Sequence, residues 1–258
     1  MFYKLDIDTR GVATVTLNRP ELHNAFNDEL IRDLVVCFND LEKNHQVRLV
    51  ILTGEGKSFC AGADLNWMKR MKDYSHEENV KDSQALADLF TVINKFPRPV
   101  IGKINGSALG GGAGLVACCD FVVAVDSAMI AFTEVRLGLL PAVISPFVIA
   151  KIGESHARAS FLSGAKISMS RAFVMGLVHQ VTTSEQLDSE IEKVVADFLL
   201  AGPVAACRAK ELINRVVRSE TIEDARDFTC EMISKARAST EGQEGMSALL
   251  EKRKASWY

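Results

Sequence analysis

The chain has 258 residues, of which 48% are hydrophobic, and its 30 basic and 33 acidic residues leave a formal net charge of −3. This size and composition allow a substantial hydrophobic core in one large domain, with or without an additional smaller region. The negative balance lacks the basic bias that nucleic-acid-binding proteins usually carry. The uncharged runs, such as residues 137–150, are too short to cross a bilayer.

The cysteines and the first residues indicate the cellular compartment of the protein. The six cysteines include no CxxC pair, and Cys118 and Cys119 are adjacent in apolar surroundings. This pattern favours buried, reduced thiols over a disulfide framework. The chain begins with alternating apolar and polar residues, as in a strand, and without a signal or transit peptide. We therefore expect a soluble, cytoplasmic protein.

The first predicted elements alternate between strand and helix. Residues 3–8 and 12–17 flank a Thr-Arg-Gly turn and predict two paired strands. Helical spacing of apolar residues predicts a helix over residues 27–43, with Asn27 as its N-cap. Residues 47–54 form a nearly continuous apolar run that ends in glycine, which predicts a buried strand.

The alternation continues beyond this strand. Residues 75–96 predict an amphipathic helix that two prolines terminate, and residues 99–106 predict the next strand. Further apolar strands are predicted at 120–126 and around 128–132. Alternating strands and helices indicate a layered α/β fold rather than a sandwich or a bundle.

The alternation of strands and helices ends at about residue 184. Three successive helices are predicted over residues 185–201, 203–219 and 221–239, with no strand candidate between them. We therefore divide the chain into a core over residues 1–190 and a helical C-terminal region over 191–258. Such helices, apolar on one stripe and charged on the other, can pack on a neighbouring subunit or on their own core, and the pattern leaves both open.

Several familiar motifs are incomplete. The stretch "GEGKS" (54–58) lacks the first glycine of a phosphate-binding loop, and the glycine run at 110–114 lacks the GxGxxG spacing. Ser107 lacks the flanking glycines of a nucleophile elbow. No two histidines are three or four residues apart, and no metal site is expected. The sequence therefore predicts no nucleotide, serine-hydrolase or metal site.

Two glycine-containing turns remain. In "SALGGGAGLVACCD" (107–120) a glycine cluster follows a strand and opens a helix. In "SFCAGADLNWM" (58–68) the predicted strand that ends at residue 54 leads directly into small residues and then a helix. Exposed backbone N–H groups at such helix starts can hold a negatively charged oxygen. Two converging turns would form an oxyanion hole from one amide each. The alternative interpretation is that both segments are simply tight turns and bind no ligand.

Four segments together resemble the crotonase (enoyl-CoA hydratase/isomerase) superfamily. The resemblance rests on "KSFCAGADL", "INGSALGGGAGLVACCDFVVA", "FTEVRLGLLP" and "EGMSALLEKRK". It implies a spiral of ββα units with a C-terminal helical trimerisation region, assembled as trimers or dimers of trimers. It also implies acyl-CoA thioester chemistry through an enolate, in fatty acid or leucine breakdown, with no cofactor besides the coenzyme A of the substrate.

The resemblance assigns residues to roles. The amides of Ala63 and Gly111 fall on the oxyanion-hole positions, and Glu134 falls on one of two catalytic glutamates of the hydratases. A carboxylate in apolar surroundings has a raised pKa and can exchange protons near neutral pH. The expected coenzyme A contacts are His23, Ala25, Ala61, Asp64, Leu65 and Gly110, with Lys252 reaching the phosphates of a neighbouring subunit's coenzyme A.

The second glutamate of typical hydratases is missing, because Gly114 stands at its position. A single carboxylate suffices for a 1,3-proton shift, so Δ3-Δ2-enoyl-CoA isomerisation by Glu134 alone is the alternative. Hydration is still favoured, because "ADLNWMKRM" and "EVRLGLLPAVISPFVIAKIG" resemble bacterial methylglutaconyl-CoA hydratases. A basic side chain would suit the distal carboxylate of such a substrate. The candidates are Lys69, Lys72, Arg70 and Arg136.

Two other functions stay open. Some members of the superfamily bind AU-rich RNA, and some are inactive assemblies. The negative charge and the short basic patch "MKRMK" disfavour RNA binding. An inactive assembly would bind coenzyme A esters without turnover.

Overall fold

The structure is a computed structural model that describes residues 2–258. The chain forms two compact units. One contains the residues up to Phe96 together with Val100–Ile191, and the other contains Pro97–Pro99 and Glu192–Tyr258. The first unit is of the α/β class, as predicted, and the second is helical.

The described residues form ten strands and ten α-helices. The strands are β1 (Tyr3–Ile7), β2 (Val12–Leu17), β3 (Leu49–Gly54), β4 (Ser58–Cys60), β5 (Val100–Ile104), β6 (Ser107–Leu109), β7 (Phe121–Val125), β8 (Met129–Ala131), β9 (Ile167–Ser168) and β10 (Gln180–Thr182). The helices are α1 (Asp28–Lys43), α2 (Leu65–Met71), α3 (His76–Asn94), α4 (Gly111–Cys118), α5 (Ser145–Phe161), α6 (Met169–Val174), α7 (Leu187–Leu199), α8 (Pro203–Val216), α9 (Ile222–Ala238) and α10 (Thr240–Leu250).

A six-stranded sheet forms the centre of the first unit. Its strand order is β1-β2-β3-β5-β7-β10, and β1 pairs antiparallel with β2, while the remaining pairs are parallel. All six residues of β3 are buried, which explains why this strand appears in the sequence as an unbroken apolar run. The predicted β1–β2 pairing and the β3 strand are confirmed.

A second sheet has the order β4-β6-β8-β9. The strands β4, β6 and β8 are parallel, and β9 runs antiparallel to β8. The sequence predicted that the β3 strand leads directly into the turn at residue 61. That expectation was wrong, because β4 intervenes between them. At three residues each, β4 and β6 are too short to produce a recognisable alternation.

Side-chain caps fix where the early helices begin. The Asn27 side chain accepts a hydrogen bond from the Leu30 amide at 2.9 Å, which confirms it as the N-cap of α1. Ser75 and Glu78 form a capping box at the start of α3. These local interactions place both helices within a residue or two of their predicted limits.

The helix α4 explains the uncharged glycine-rich stretch. Every residue from Gly112 to Cys118 is buried, so the helix has no solvent-facing side on which a charge could lie. The first charge after it, Asp120, accepts a hydrogen bond from the Val100 amide at 2.8 Å. The sequence predicted that the glycine cluster opens a helix, and this is confirmed, since α4 begins at Gly111.

The second unit consists of the end of α7 and the helices α8 to α10. The Glu241 carboxylate accepts hydrogen bonds from the amides of Val204 and Ala205, at 2.9 and 2.7 Å, and so links the start of α10 to the start of α8. The three predicted C-terminal helices are present, whereas α10 was not predicted. Within residues 2–258, no helix combines the length and apolarity needed to span a membrane.

Candidate active site

Three parallel strands of the smaller sheet deliver three groups to one edge. Cys60 ends β4, Leu109 ends β6 and Ala131 ends β8. The predicted site residues Ala63, Gly111 and Glu134 follow these ends after three, two and three residues. Because parallel strands point their carboxyl ends to the same side, the second sheet brings all three predicted catalytic residues to a single edge.

The two turns after β4 and β6 are in direct contact. A Cβ atom on Gly62 would lie only 2.8 Å from the Leu109 carbonyl oxygen, and one on Gly112 would overlap the Cys60 carbonyl. Gly110, two residues before Gly112 in the second turn, has φ +51°, a conformation that residues with a side chain rarely adopt. The small residues of both motifs are therefore required by the close approach of two backbones.

The Ala63 amide points away from the chain that flanks it. Phe26 donates its N–H to the Gly62 carbonyl and accepts from the Asp64 N–H, both at 2.7 Å. In a planar trans peptide the Ala63 N–H points opposite to the Gly62 carbonyl, and hence away from Phe26. No acceptor within residues 2–258 binds this N–H, and Ala63 is exposed. It is available to an external oxygen.

The Gly111 amide is available for a different reason. Gly111 is the first residue of α4, where an amide has no intrahelical acceptor. The Gly110 carbonyl accepts from the Ala113 and Gly114 amides, at 2.9 and 3.2 Å, so the Gly111 N–H points out of the helix start. The part of the chain that the structure describes holds no acceptor for it. The partial positive charge of the helix start favours an anion there.

The Glu134 carboxylate lies against the glycine turn. Its Oε1 atom is 3.3 Å from the position that a Cβ would take on Gly110. Its Oε2 atom is the one buried side-chain oxygen or nitrogen in residues 2–258 that has no hydrogen-bond partner. Leaving such an atom unsatisfied is costly, and this is typical of a group that acts on a ligand.

Burial shifts the ionisation of this group. Desolvation raises the pKa of Glu134 above the ordinary carboxyl value of 4.5, and a hydrogen bond from its own backbone amide offsets part of the rise. A carboxylate with a raised pKa can accept and return a proton close to neutral pH. The position of Glu134 beside two free amides is therefore suited to proton transfer at a carbon or to water.

Gly114, the position of the missing second carboxylate, is closely surrounded by apolar side chains. Gly114 lies one helical turn beyond Gly110, and so on the same face of α4. A Cβ on Gly114 would overlap Cγ2 of Ile144 and would lie 3.0 Å from Cε1 of Phe90. Ile144 is 2% exposed and Phe90 is fully buried. No side chain can be added at position 114 unless these two residues move.

The residues expected to contact coenzyme A lie on two adjacent segments. Ala61 donates its amide to the His23 carbonyl at 3.0 Å, and the His23 ring lies 3.0 Å from the Ser58 hydroxyl through Nδ1. His23 and Leu65 are exposed, whereas Ala25 is buried. The structure thus brings these residues together, and their binding role stays a prediction.

The Asp64 side chain is already engaged. It pairs with Arg19 at 2.7 Å and caps α2 through the amides of Asn66 and Trp67. Burial raises the pKa of Asp64, but the Arg19 guanidinium and these amides outweigh that effect and hold the pKa below its usual range. Sequence reasoning missed Arg19. A buried arginine was not expected in a turn, and its partner is 45 residues away.

The basic residues considered as partners for a distal substrate carboxylate differ in whether they already bind another group of the protein. Arg70 pairs with Asp28 at 2.5 Å, and Arg136 donates to the Ser163 carbonyl at 3.2 Å. Lys69 and Lys72 are exposed on and just after α2. Lys252 is exposed in the second unit, just after α10, with φ +55°. It does not belong to the unit that contains the other site residues.

Comparisons with known proteins agree with this geometry. A family model described as "Enoyl-CoA hydratase/isomerase" matches residues 8–258. The enoyl-CoA hydratase AKT6-1 of Alternaria alternata is 36% identical over 239 residues, which is 90% of this chain and 77% of that protein. The crotonyl-CoA hydratase of Syntrophomonas wolfei is 33% identical over 251 residues, with 95% and 94% covered.

Solved structures give the same result. The crystal structure of an enoyl-CoA hydratase from Shewanella pealeana matches with a TM-score of 0.96 at 33% identity, and the match covers 100% of this chain and 96% of that one. The chain therefore has the crotonase fold that its sequence motifs implied.

Proposed function

Since this chain is an enzyme of the enoyl-CoA hydratase/isomerase family, we propose that it hydrates a 2-enoyl-CoA thioester through an enolate. The observation that carries the proposal is the meeting of Glu134 with the free amides of Ala63 and Gly111 at one sheet edge. Two N–H donors and one partly buried carboxylate are the groups that such a reaction needs.

The two amides would hold the thioester oxygen. When a nucleophile adds to C3 of the enoyl group, the C2=C3 electron pair moves toward the thioester and negative charge develops on its oxygen. Amides that are already fixed in place stabilise that charge without reorganisation. The Ala63 and Gly111 N–H groups both lack competing acceptors within residues 2–258, which supports this role.

Glu134 would serve both proton transfers. As a carboxylate it removes a proton from water while the water oxygen bonds to C3, and the enolate forms. The protonated Glu134 then returns that proton to C2, which restores the carboxylate and completes the addition of one water molecule. Because a single carboxylate directs the water oxygen to C3 and the proton to C2, both arrive on the same face of the double bond. The addition should therefore be syn.

Isomerisation is a second candidate because of Ile144 and Phe90. These apolar side chains fill the space beside Gly114, so one face of α4 next to Glu134 offers no second acid or base. In a 3-enoyl-CoA, Glu134 would remove a proton from C2 and return it to C4, and no water would be consumed.

A substrate with a distal carboxylate, such as 3-methylglutaconyl-CoA, is our proposal for the acyl group. Lys69 and Lys72 support it, because they follow the Ala63 turn closely and are exposed. Arg70 and Arg136 are less suitable, since each already has a partner. Replacing both lysines with alanine should raise KM for 3-methylglutaconyl-CoA and leave KM for crotonyl-CoA unchanged.

The remaining features of the proposal follow the family resemblance. We propose a cytoplasmic trimer, or a dimer of trimers, with Lys252 directed to coenzyme A phosphates across a subunit boundary. Coenzyme A enters as part of the substrate, and no further cofactor is proposed. The place in metabolism would be leucine or fatty acid breakdown.

The test is an assay of the products. The purified protein is incubated separately with 3-methylglutaconyl-CoA, crotonyl-CoA and a 3-enoyl-CoA, and the products are identified by mass spectrometry and NMR. A 3-hydroxyacyl-CoA product from a 2-enoyl-CoA supports hydration. Formation of a 2-enoyl-CoA from the 3-enoyl-CoA, without water addition to any substrate, supports the second candidate and rejects the first.

A further inference from the structure

We propose that Arg19 is a positioning residue that fixes the Ala63 amide in the oxyanion hole. This inference rests on the proposed enolate chemistry, because only an oxyanion on the ligand would require the amide to hold its direction. Arg19 follows β2 and lies just before a 3₁₀ turn over Pro20–Leu22. It does not belong to either glycine-containing turn.

Arg19 joins the two chain segments that orient Ala63. Its Nη2 donates to Asp64 Oδ2 at 2.7 Å, and its Nη1 donates to the Ala25 carbonyl at 2.5 Å. Asp64 is the residue after Ala63, and Ala25 is the residue before Phe26. One guanidinium therefore bridges the same two segments that the Phe26 backbone bonds hold together.

The bridge acts on a short pairing, beside which one further backbone bond runs from the Ala61 amide to the His23 carbonyl at 3.0 Å. Phe26 and Ala63 form an isolated parallel bridge of two hydrogen bonds, with no longer ladder around it. Any twist of the Gly62–Ala63 peptide turns the Ala63 N–H by the same angle, because the peptide is planar. A planar fork with two engaged donors resists such a twist, whereas a single point donor does not.

The arginine is built into the protein rather than exposed to solvent. The side chains of Arg19 and Asp64 are 9% and 6% exposed, and the guanidinium lies 5.4 Å from the centre of the Phe2 ring. The Arg19 amide is held in turn by Asn24 Oδ1 at 2.9 Å. Its two acceptors, Ala25 and Asp64, are also expected coenzyme A contacts. The test must therefore separate an effect that passes through the Ala63 amide from an effect on coenzyme A binding.

The test compares Arg19→Met and Arg19→Lys with the control Arg32→Met. Arg32 is an exposed arginine that forms only a 3.9 Å contact with Asp33. For each protein we would measure kcat and KM with crotonyl-CoA, and the dissociation constants of acetoacetyl-CoA and butyryl-CoA. Acetoacetyl-CoA forms an enolate readily and reports on the oxyanion hole, whereas butyryl-CoA reports on the remaining coenzyme A contacts.

We expect Arg19→Met to lower kcat by roughly 10- to 100-fold with KM changed little, since misplacement of a catalytic group by about 1 Å costs up to about 10²-fold. Acetoacetyl-CoA should bind more weakly by a similar factor, and butyryl-CoA should bind as it does to the native protein. Arg19→Lys should lie in between, and Arg32→Met should match the native protein.

Equal weakening of both ligands, or a lower melting temperature with unchanged kcat and unchanged acetoacetyl-CoA binding, would overturn the proposal. If Arg19→Met does not fold, the same two dissociation constants for Arg19→Lys decide. If the native protein turns over none of the enoyl-CoAs, the proposed function fails. The ratio of the two dissociation constants would still test the role of Arg19 separately.

Discussion

Ile144 occupies the space that a side chain at Gly114 would need. Its Cγ2 atom overlaps the position of a Cβ on this glycine, and Phe90 closes the same space from another direction at 3.0 Å. The absence of a carboxylate at position 114 is therefore matched by the packing around it. The site is built for one carboxylate, Glu134, and does not have an empty place for a second.

This packing predicts how substitutions at the two positions combine. Gly114→Ala should lower the free energy of unfolding by up to about 2 kcal/mol, because overpacking costs about 1–3 kcal/mol and the better helix propensity of alanine returns about 1 kcal/mol. In an Ile144→Ala background the cost of Gly114→Ala should become smaller, because only the contacts with Phe90 Cε1 at 3.0 Å and with Cβ of residue 144 at 3.1 Å remain. Urea unfolding of the four proteins measures this coupling, and an equal cost in both backgrounds would show that Ile144 does not fill the site.

Glu134→Gln should abolish turnover and leave substrate binding intact. The amide cannot accept a proton, so we expect a loss of at least about 10²-fold in kcat, the lower range for general acid–base catalysis. The matched control is Glu154→Gln, since Glu154 is exposed and paired only with Arg158 at 3.6 Å. Steady-state kinetics and acyl-CoA binding should be measured for both. Substantial activity in Glu134→Gln would mean that another group transfers the proton.

The raised pKa of Glu134 also predicts a pH-dependent effect on stability. Between the ordinary carboxyl pKa of 4.5 and the higher folded-state value, the folded protein binds more protons than the unfolded chain. Glu134 therefore makes the fold less stable as pH rises through this interval. Glu134→Gln should be more stable than the native protein at about pH 8 and should lose this advantage below the unfolded-state pKa.

Thermal melts of the two proteins across this pH range test the sign. A constant difference in melting temperature would mean that burial does not perturb Glu134. Glu154→Gln, at a side chain that is 80% exposed, is the matched control for the loss of one carboxylate.

Two substitutions at Gly111 separate the role of its amide from the effect of an added side chain. A Cβ at this position would lie 2.7 Å from Cε2 of Phe26, so both Gly111→Ala and Gly111→Pro disturb the same ring. Only proline also removes the N–H. We expect kcat of Gly111→Pro to be at least about 10²-fold below that of Gly111→Ala, the cost typical of losing one oxyanion donor. Equal rates for the two variants would show that the amide does not take part.

The sequence was sufficient where the signal is local. The Asn27 cap, the start of α3 next to Ser75 and the buried β3 strand each depend on residues within one element, and the structure confirms them. The two glycine turns and Glu134 could be singled out because motif residues close in sequence surround each one. Their meeting at one edge needed the order of β4, β6 and β8, which three-residue strands do not reveal.

The features that were missed depend on residues far apart in the chain. Ile144 opposes Gly114 from the residue before α5, and Arg19 reaches Asp64 across 45 positions. Composition and periodicity carry no information about such pairs, since neither partner is unusual in its own segment. A buried ion pair and a glycine opposed by isoleucine become visible only once the chain has folded.

The most direct test follows the proton in D2O. The native protein and Glu134→Gln are incubated with crotonyl-CoA, and NMR locates the deuterium in the product. We predict a 3-hydroxyacyl-CoA that carries one deuterium at C2, added syn to the new hydroxyl group, and no product from Glu134→Gln. Anti addition, or a product whose formation survives in Glu134→Gln, would contradict the role of Glu134 as the single carboxylate that transfers both protons.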